Sequence, residues 1–258
     1  MAIDKIFGIA VLSGKGGVGK SVIASNLALA MASRGLKTVL FDAGGGDLTH
    51  LTNSGDMSSE ELPNFASLNI HPAGENLSLY RSSISDAYSI TDESDIEAFL
   101  EEIVEASSNC RCVVFDCLTG AGPITYTLAG ISEVSLLVST PDPTSVAGAY
   151  LLAKSLHNDG LVARAQLLFN QVESADEAAS LKTRFDILTG KFLNRKFPMA
   201  GYIRSDGAIA ESVLEQLPLL AGRSTSRSGP DFYSLADKMV KTGKLQSETE
   251  ILKRQPEH

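Results

Sequence analysis

The stretch GKGGVGKS, residues Gly14 to Ser21, is the most informative part of the sequence, because it places four glycines and two lysines in eight positions. An apolar run, residues 5–13, precedes it, and apolar residues at helical spacing follow it. This order and the spacing from Gly14 to Lys20 match the phosphate-binding P-loop, in which backbone N–H groups surround a phosphate at the positive end of a helix. The motif predicts nucleotide binding. The alternative is an ordinary glycine-rich turn in front of a helix.

The P-loop pattern gives each of its polar residues a role. Lys20 would reach the β- and γ-phosphates as a point charge, and the Ser21 hydroxyl would enter the coordination shell of Mg²⁺. The predicted nucleotide-binding residues are Gly14, Lys15, Gly16, Gly17, Val18, Gly19, Lys20 and Ser21.

Short apolar segments alternate with amphipathic ones along the rest of the chain. Besides residues 5–13, the candidate strands are 37–42, 112–116, 134–140 and 165–172, and each is apolar at consecutive positions, as in a strand buried on both faces. The candidate helices are a segment ending at Gly35 and residues 92–107, 144–157, 176–192 and 208–217. This alternation predicts a single-domain, doubly wound α/β fold with a mostly parallel sheet and helices on both faces.

Composition limits the class of protein. The chain has 258 residues, 43% of them hydrophobic, which is enough for one large core. We expect a nucleotide-binding domain over residues 1–243 and a polar tail over residues 244–258. No apolar run is long enough to span a membrane and no leader is recognisable, which predicts a cytoplasmic protein. A net charge of −9 argues against broad nucleic-acid binding.

Lys15, the second residue of the loop, narrows the prediction. The sequence KGGVGKS resembles the deviant Walker A motif of the MinD/ParA group of ATPases, in which this additional lysine contacts the partner's phosphates across a nucleotide-sandwich dimer. The resemblance therefore implies ATP or ADP with Mg²⁺ as ligands, and a homodimer formed on ATP binding. Spacing alone would also permit a Lys15 that is solvated at the rim of the loop, which is the less favoured alternative. The segment CRCVVFDCLTGAG is similar to the family's Walker B strand, which places Asp116 near Mg²⁺.

Within this group the sequence is most similar to the FlhG (FleN) family of regulators of flagellar number and placement. The resemblance is carried by residues 138–156, which start Val-Ser-Thr-Pro-Asp-Pro-Thr-Ser, and by the segments LLFNQVESADEA and FLNRKFPMAGYIRSDGAIAESVLEQLPLL. It places Asn170 where the family has an asparagine that contacts the adenine edge. As an isolated residue, Asn170 would more commonly be a turn residue.

The loop after residues 37–42 departs from the family. The family's usual pattern at this loop is Asp-x-Asp, whose second aspartate positions the attacking water. This chain has Asp42, Ala43 and Gly44 instead. Asp42 can still serve the Mg²⁺ shell. The predicted catalytic residues are Asp42, Lys15 and Lys20. Asp47 is a candidate replacement for the missing carboxylate. Because phosphoryl transfer depends on preorganised groups, we expect slow hydrolysis or none.

Three other departures affect what the resemblance implies. The sequence begins close to its first strand, whereas relatives carry an N-terminal extension that stimulates a partner GTPase. The apolar stripe Phe232, Leu235, Ala236 and Met239 is expected to pack on the domain, so that membrane binding would depend on Ile251 and Leu252 and be weak or absent. At residue 204, near the expected position of the nucleotide base, the family commonly has proline, whereas this chain has arginine.

Other residue clusters give no strong indication of a site. Cys110 and Cys112 would point to opposite faces of a strand and are predicted to be structural thiols, as expected in a reducing compartment. The four histidines have no metal-binding spacing. Arg223 and Arg227 in a serine-rich loop could contact an anionic partner.

Two functional classes remain open. The first is a slow ATPase switch, in which an ATP-bound dimer presents a surface to a protein partner, such as a flagellar or polar-assembly component at a cell pole or the inner face of the membrane. The second is an ATP-bound scaffold without turnover. A DNA-partitioning ATPase of the ParA type is a third reading, which the charge disfavours.

Overall fold

The computed structural model describes residues 6–43, 48, 70–82 and 93–244. The strands are β1 (Phe7–Ser13), β2 (Thr38–Asp42), β3 (Ile70–Gly74), β4 (Leu77–Arg81), β5 (Cys112–Thr119), β6 (Val134–Ser139), β7 (Ala165–Val172) and β8 (Met199–Arg204). The helices are α1 (Lys20–Ala32), α2 (Glu93–Ser107), α3 (Pro123–Ile131), α4 (Pro143–Asn158), α5 (Ala175–Leu193), α6 (Gly207–Leu214), α7 (Leu219–Gly222) and α8 (Gly229–Gly243).

The strands form one eight-stranded sheet in the order β3-β4-β2-β5-β1-β6-β7-β8. Every neighbouring pair is parallel except the edge pair β3 and β4, which is antiparallel. β1 lies near the middle of the sheet, so the loop that follows it opens at the crevice where the chain winds in both directions. The predicted single-domain, doubly wound α/β fold is confirmed.

Each central strand contributes to two cores. Ile9 and Val11 of β1 pack with α1, α7 and α8 on one face, whereas Ala10 and Leu12 pack with α2, α3, α4 and α5 on the other. Because successive side chains of a strand point to opposite faces, covering both faces with helices requires apolar residues at every position. This is the pattern that identified the central strands in the sequence.

The sequence did not predict the peripheral elements β3, β4, β8, α3 and α7. The edge strand β8 reads MAGYIR and is only partly buried, so it lacks the continuous apolar signal of the central strands. Helix α1 also ends at Ala32, not at Gly35 as predicted. Gly35 lies in the turn after the helix, with φ of 73°, and its N–H bonds to the Ala32 carbonyl.

The predicted packing of the stripe on α8 is confirmed, since Phe232, Leu235, Ala236 and Met239 are buried in the core shared with α1. Helix α8 ends at Gly243, followed by Lys244 in a left-handed conformation. Residues 245–258, including Ile251 and Leu252, lie outside the described residues. Among the helices described, none has the length and apolar character to cross a membrane.

Candidate nucleotide-binding site

The glycine loop connects the carboxyl end of β1 to the first turn of α1. Gly17 and Gly19 have φ of 76° and 88°, a region that residues with a Cβ rarely adopt. Gly19 is the residue at the N-terminal cap of α1, so the turn directs the backbone into the helix at this point. The predicted strand, glycine loop and helix therefore occur in the structure.

The glycine loop also packs closely against helix α4. A Cβ on Gly14 would lie 1.9 Å from the carbonyl oxygen of Gly148 in α4, which is far inside van der Waals contact. A Cβ on Gly148 would in turn lie 3.0 Å from the Gly14 carbonyl. The backbones of the loop and of α4 thus pack directly on each other, and this close approach requires glycine at residue 14.

Lys20, at the start of α1, points toward the end of β5. Its Nζ donates a hydrogen bond to Thr119 Oγ1 over 2.8 Å. Because the lysine ammonium has three donors, this contact leaves two of them for other oxygens. The ammonium therefore lies between the glycine loop and the carboxyl edge of β5.

Two buried carboxylates lie at the same edge of the sheet. Asp42, the last residue of β2, is the register partner of Asp116 in β5. Leu40 and Val114, two residues earlier on the same strands, pack against α1. Because residues two positions apart on a strand point to the same face, both carboxylates lie on the face that α1 covers. Asp42 is 3% exposed and Asp116 is 1% exposed.

The surroundings of Asp116 fit a cation site. Burial raises the pKa of Asp116, while the Ser21 hydroxyl and the Lys20 ammonium lower it in part. Its Oδ1 is buried and has no hydrogen-bond partner, an arrangement that is costly unless a ligand provides one. Carboxylate and hydroxyl oxygens are suited to Mg²⁺, which usually takes one or two carboxylates and completes its shell with water and phosphate. Ser21, Asp42 and Asp116 therefore fit the predicted metal site. Within the described residues, no cluster of three or more His, Cys, Asp or Glu forms an all-protein metal cage.

Lys15 is engaged within its own chain. Its Nζ donates hydrogen bonds to Asp142 Oδ2 over 2.7 Å and to Thr144 Oγ1 over 2.5 Å. Asp142 also caps α4, accepting from the backbone N–H of Thr144 over 2.7 Å. These contacts hold the pKa of Asp142 below its usual range, with the hydrogen bond from Lys15 as the largest cause. Lys15 thus lies against the start of α4, at the rim of the loop.

Asn170 contacts the glycine loop directly. Its Nδ2 donates to the Val18 carbonyl over 2.8 Å, and its side-chain oxygen Oδ1 is buried without a partner. The next residue, Gln171, has φ of 59°, and the register of β7 with β8 shifts there. The structure places Asn170 as a support of the loop. The role in contacting adenine stays a prediction, for which Oδ1 is the free acceptor.

Several residues of this neighbourhood were not singled out in the sequence. Thr119, Asp142, Thr144 and Gly148 contact the loop although they are 99 or more residues distant from their partners. They lie within the segments that carry the family resemblance, residues 110–122 and 138–156, but nothing local in those segments predicts a contact with the loop. Gly44 and Asp47, on which the expectation about hydrolysis depends, lie outside the described residues.

The three arginines noted in the sequence are paired within the chain. Arg204 makes a two-pronged ion pair with Asp231 at the start of α8, with N–O distances of 2.8 and 2.9 Å. Arg223 pairs with Glu215, and Arg227 donates to the backbone and carboxylate of Glu173. Arg204 thus links β8 to α8.

The three cysteines carry free thiols. Cys112 and Cys117 are buried in opposite cores, and burial raises the pKa of both well above the usual range. Burial also raises the pKa of Cys110, to about 12. Such thiols remain protonated and unreactive, in keeping with the predicted structural role.

The fold and this edge of the sheet define a P-loop nucleotide-binding protein, and comparison with known families agrees. Residues 9–219 match the profile of the CobQ/CobB/MinD/ParA nucleotide binding domain. The chain belongs to this family.

Two curated relatives are similar over most of the chain. It is 27% identical over 241 residues to the antiactivator FleN of Pseudomonas aeruginosa, covering 90% of this chain and 85% of FleN. It is 27% identical over 228 residues to the flagellum site-determining protein YlxH of Helicobacter pylori, covering 81% and 73%. Among solved structures, the septum site-determining protein MinD of Pyrococcus horikoshii in complex with Mg-ADP has the same fold, with a TM-score of 0.68, 19% identity, and coverage of 92% and 97%.

Proposed function

We propose that the chain is an ATP-dependent dimeric switch of the FlhG type, which regulates the number or placement of flagella or of another polar cell-surface assembly. The observation that supports this most is the convergence at one edge of the sheet: Lys20 of the glycine loop is close to the register pair Asp42 and Asp116. A lysine ammonium that can bind phosphate, next to buried carboxylates that can bind Mg²⁺, is the arrangement that a nucleoside triphosphate and its metal ion require.

Different residues of the chain would bind the phosphates, the metal ion and the base. The backbone of residues 14–19 would surround the phosphates, and Lys20 would neutralise part of their charge. Ser21, Asp42 and Asp116 would hold Mg²⁺, which when bound neutralises charge that develops on the phosphates. Asn170 keeps the loop in shape through the Val18 carbonyl and offers Oδ1 to the base.

Dimerisation would depend on Lys15. In the free chain, its ammonium is paired with Asp142, and bridging to a second copy requires that it leave this carboxylate. Both side chains of the pair are close to half exposed, at 41% and 46%, so the exchange is cheap. Phosphate oxygens of an ATP held by the partner would replace the carboxylate as acceptors.

Hydrolysis is proposed to be slow, because Gly44 stands where relatives have a second aspartate. This substitution also supports a second candidate function, an ATP-bound scaffold that does not turn over. The two candidates share the nucleotide site and the dimer and differ in how the ATP-bound state ends.

The cellular role is inferred from the relatives FleN and YlxH, whose names refer to antiactivation and to the site of the flagellum. We propose that the ATP-bound dimer acts in the cytoplasm, recruited to a cell pole or the inner face of the membrane by a protein partner. A DNA-partitioning role is disfavoured by the net charge of −9 and by the internal pairing of Arg223 and Arg227.

Light scattering of the full chain with Mg²⁺ and a non-hydrolysable ATP analogue tests the switch. We expect the wild type to dimerise, Lys20→Ala to lose nucleotide binding, and Lys15→Ala to bind nucleotide as a monomer. A wild type that binds the analogue and remains monomeric would rule out the dimeric switch.

A phosphate-release assay on the same protein separates the two candidates. Slow release supports the switch, and no release by an ATP-bound dimer supports the scaffold. Deleting the gene in its own organism and counting flagella tests the cellular role; unchanged number and position would contradict it.

A further inference from the structure

Thr119 lies beside the glycine loop, in the segment CRCVVFDCLTGAG, but the sequence alone predicts no role for it. It is the last residue of β5, three positions after Asp116, and the register partner of Ser13, which directly precedes the glycine loop. Its Oγ1 accepts the hydrogen bond from Lys20 Nζ over 2.8 Å. The hydroxyl is exposed, so a bound ligand can reach it.

Backbone hydrogen bonds hold the turn after Thr119 in place. The next residue, Gly120, donates from its N–H to the Ser13 carbonyl over 2.8 Å. The Gly120 carbonyl in turn accepts from Thr125 Oγ1 of α3 over 3.0 Å. Gly120 has φ of 90°, which suits this tight turn. Thr119 therefore stays beside the loop whether or not Lys20 is in contact with it.

The hydroxyl still has a donor to offer. Because the lysine ammonium can only donate, Thr119 must be the acceptor in this contact, and its own O–H remains available. Within the described part of the chain, no acceptor takes that hydrogen. An exposed, positioned donor next to a lysine is suited to bind an anion.

The geometry of the ammonium indicates which phosphate would be in reach. Two acceptors on one tetrahedral ammonium, each about 2.8 Å from the nitrogen, lie roughly 4.5 Å apart. A phosphate oxygen held by Lys20 would thus lie roughly 4.5 Å from Thr119 Oγ1, and a small rotation of either side chain would bring the two within hydrogen-bond distance. Mg²⁺ held by Asp116, on the same strand as Thr119, would neutralise charge on the terminal phosphates, so we expect the terminal phosphate on this side of the site.

We propose that Thr119 is a specificity-determining residue of this site: its hydroxyl donates a hydrogen bond to the terminal phosphate of a nucleoside triphosphate, so that the chain binds ATP more tightly than ADP. This inference rests on the proposed nucleotide binding and applies equally to a switch and to a scaffold. A diphosphate leaves Thr119 with Lys20, as in the free chain.

Calorimetry on the full chain with Mg²⁺, comparing ADP with a non-hydrolysable ATP analogue, tests the proposal. Thr119→Val keeps the shape of the side chain and removes the hydroxyl, whereas Thr119→Ser keeps the hydroxyl. We expect Thr119→Val to lower the affinity for the analogue about tenfold while the affinity for ADP changes less than about twofold. Thr119→Ser should retain the preference for the analogue to within about threefold.

The ratio of the two affinities separates the proposal from a merely structural role. If Thr119→Val changes both affinities equally, or neither, the proposal is wrong while nucleotide binding stands. If the wild type binds neither nucleotide, the proposed function fails and this inference fails with it.

Discussion

Lys15 and Asp142 are joined by a hydrogen bond of 2.7 Å within one chain, across 127 positions of sequence. The lysine that would bridge two copies is therefore already paired in the free chain, with the residue that caps α4. If the proposed dimer uses Lys15 as its bridging residue, forming it would break this pair, and the strength of the pair would then help to set the concentration at which the dimer forms.

Weakening this pair should favour the dimer. Asp142→Asn removes the charge but keeps a good N-terminal cap for α4, since Asn and Asp cap helices equally well. We expect the variant to form the ATP-dependent dimer about two- to fivefold more readily, measured by light scattering against protein concentration. Thr144→Val, which removes the other acceptor of Lys15, is the companion variant. Weaker dimerisation of Asp142→Asn would show that Asp142 supports the dimer instead.

The same pair should be insensitive to moderate acid. Its lowered pKa means that Asp142 keeps its charge above the ordinary aspartate pKa and that the interaction is lost only as the pH falls through the lowered value. Lowering the pH from about 7 to about 5 should therefore leave the Lys15 to Asp142 interaction intact. NMR titration of the Asp142 carboxyl in the free chain measures this directly, and an ordinary aspartate pKa would contradict it.

Gly14→Ala should damage the loop far more than Gly16→Ala. A Cβ on Gly14 would meet the Gly148 carbonyl at 1.9 Å, whereas a Cβ on Gly16 has no atom within 4 Å. We expect Gly14→Ala to lower the free energy of unfolding by about 2 kcal/mol or more and Gly16→Ala to change it by less than about 0.5 kcal/mol, measured by urea denaturation. Equal stability of the two variants would mean that α4 moves away at little cost.

Asp116→Asn should stabilise the free protein and weaken its response to Mg²⁺. Burial raises the pKa of Asp116, so the fold favours the protonated carboxyl: stability is gained as the pH falls through that raised pKa toward the ordinary aspartate value, and it is lost again as the pH rises through the raised pKa. The neutral isostere should therefore raise the free energy of unfolding at neutral pH, by on the order of 1 kcal/mol. Thermal unfolding with and without Mg²⁺ and ATP measures both effects. A variant that is less stable than the wild type would show that ionised Asp116 is already well paired.

Gly44→Asp should raise the rate of ATP hydrolysis, because it restores a carboxylate that can orient the attacking water. A gain of roughly tenfold or more in single-turnover phosphate release is expected. Asp47→Ala is the matched test of the alternative carboxylate. If the wild type hydrolyses ATP at a rate ordinary for its relatives and Asp47→Ala removes that activity, Asp47 has taken over the role and the slow-hydrolysis hypothesis is wrong.

The central part of the fold could be predicted from the sequence because its signals are local. Strands such as β1 and β5 are covered by helices on both faces, so apolar residues occupy consecutive positions over most of their length, and this pattern is visible without a structure. The glycine loop is equally local, since Gly17 and Gly19 are required by the backbone angles of the loop itself. The peripheral strands β3, β4 and β8 gave no comparable signal, and β4 and β8 are only partly buried.

The contacts that complete the site depended on the tertiary structure. Lys15, Lys20 and Val18 each contact a residue about 100 or more positions away, namely Asp142, Thr119 and Asn170. Parallel strands bring their carboxyl ends to one edge of the sheet whatever their separation in sequence, so these partners are set by strand order and register. The sequence by itself therefore determined that the chain has a phosphate-binding loop in a doubly wound sheet. Only the packing of β5, α4 and β7 around β1 determined which side chains hold that loop and its lysines.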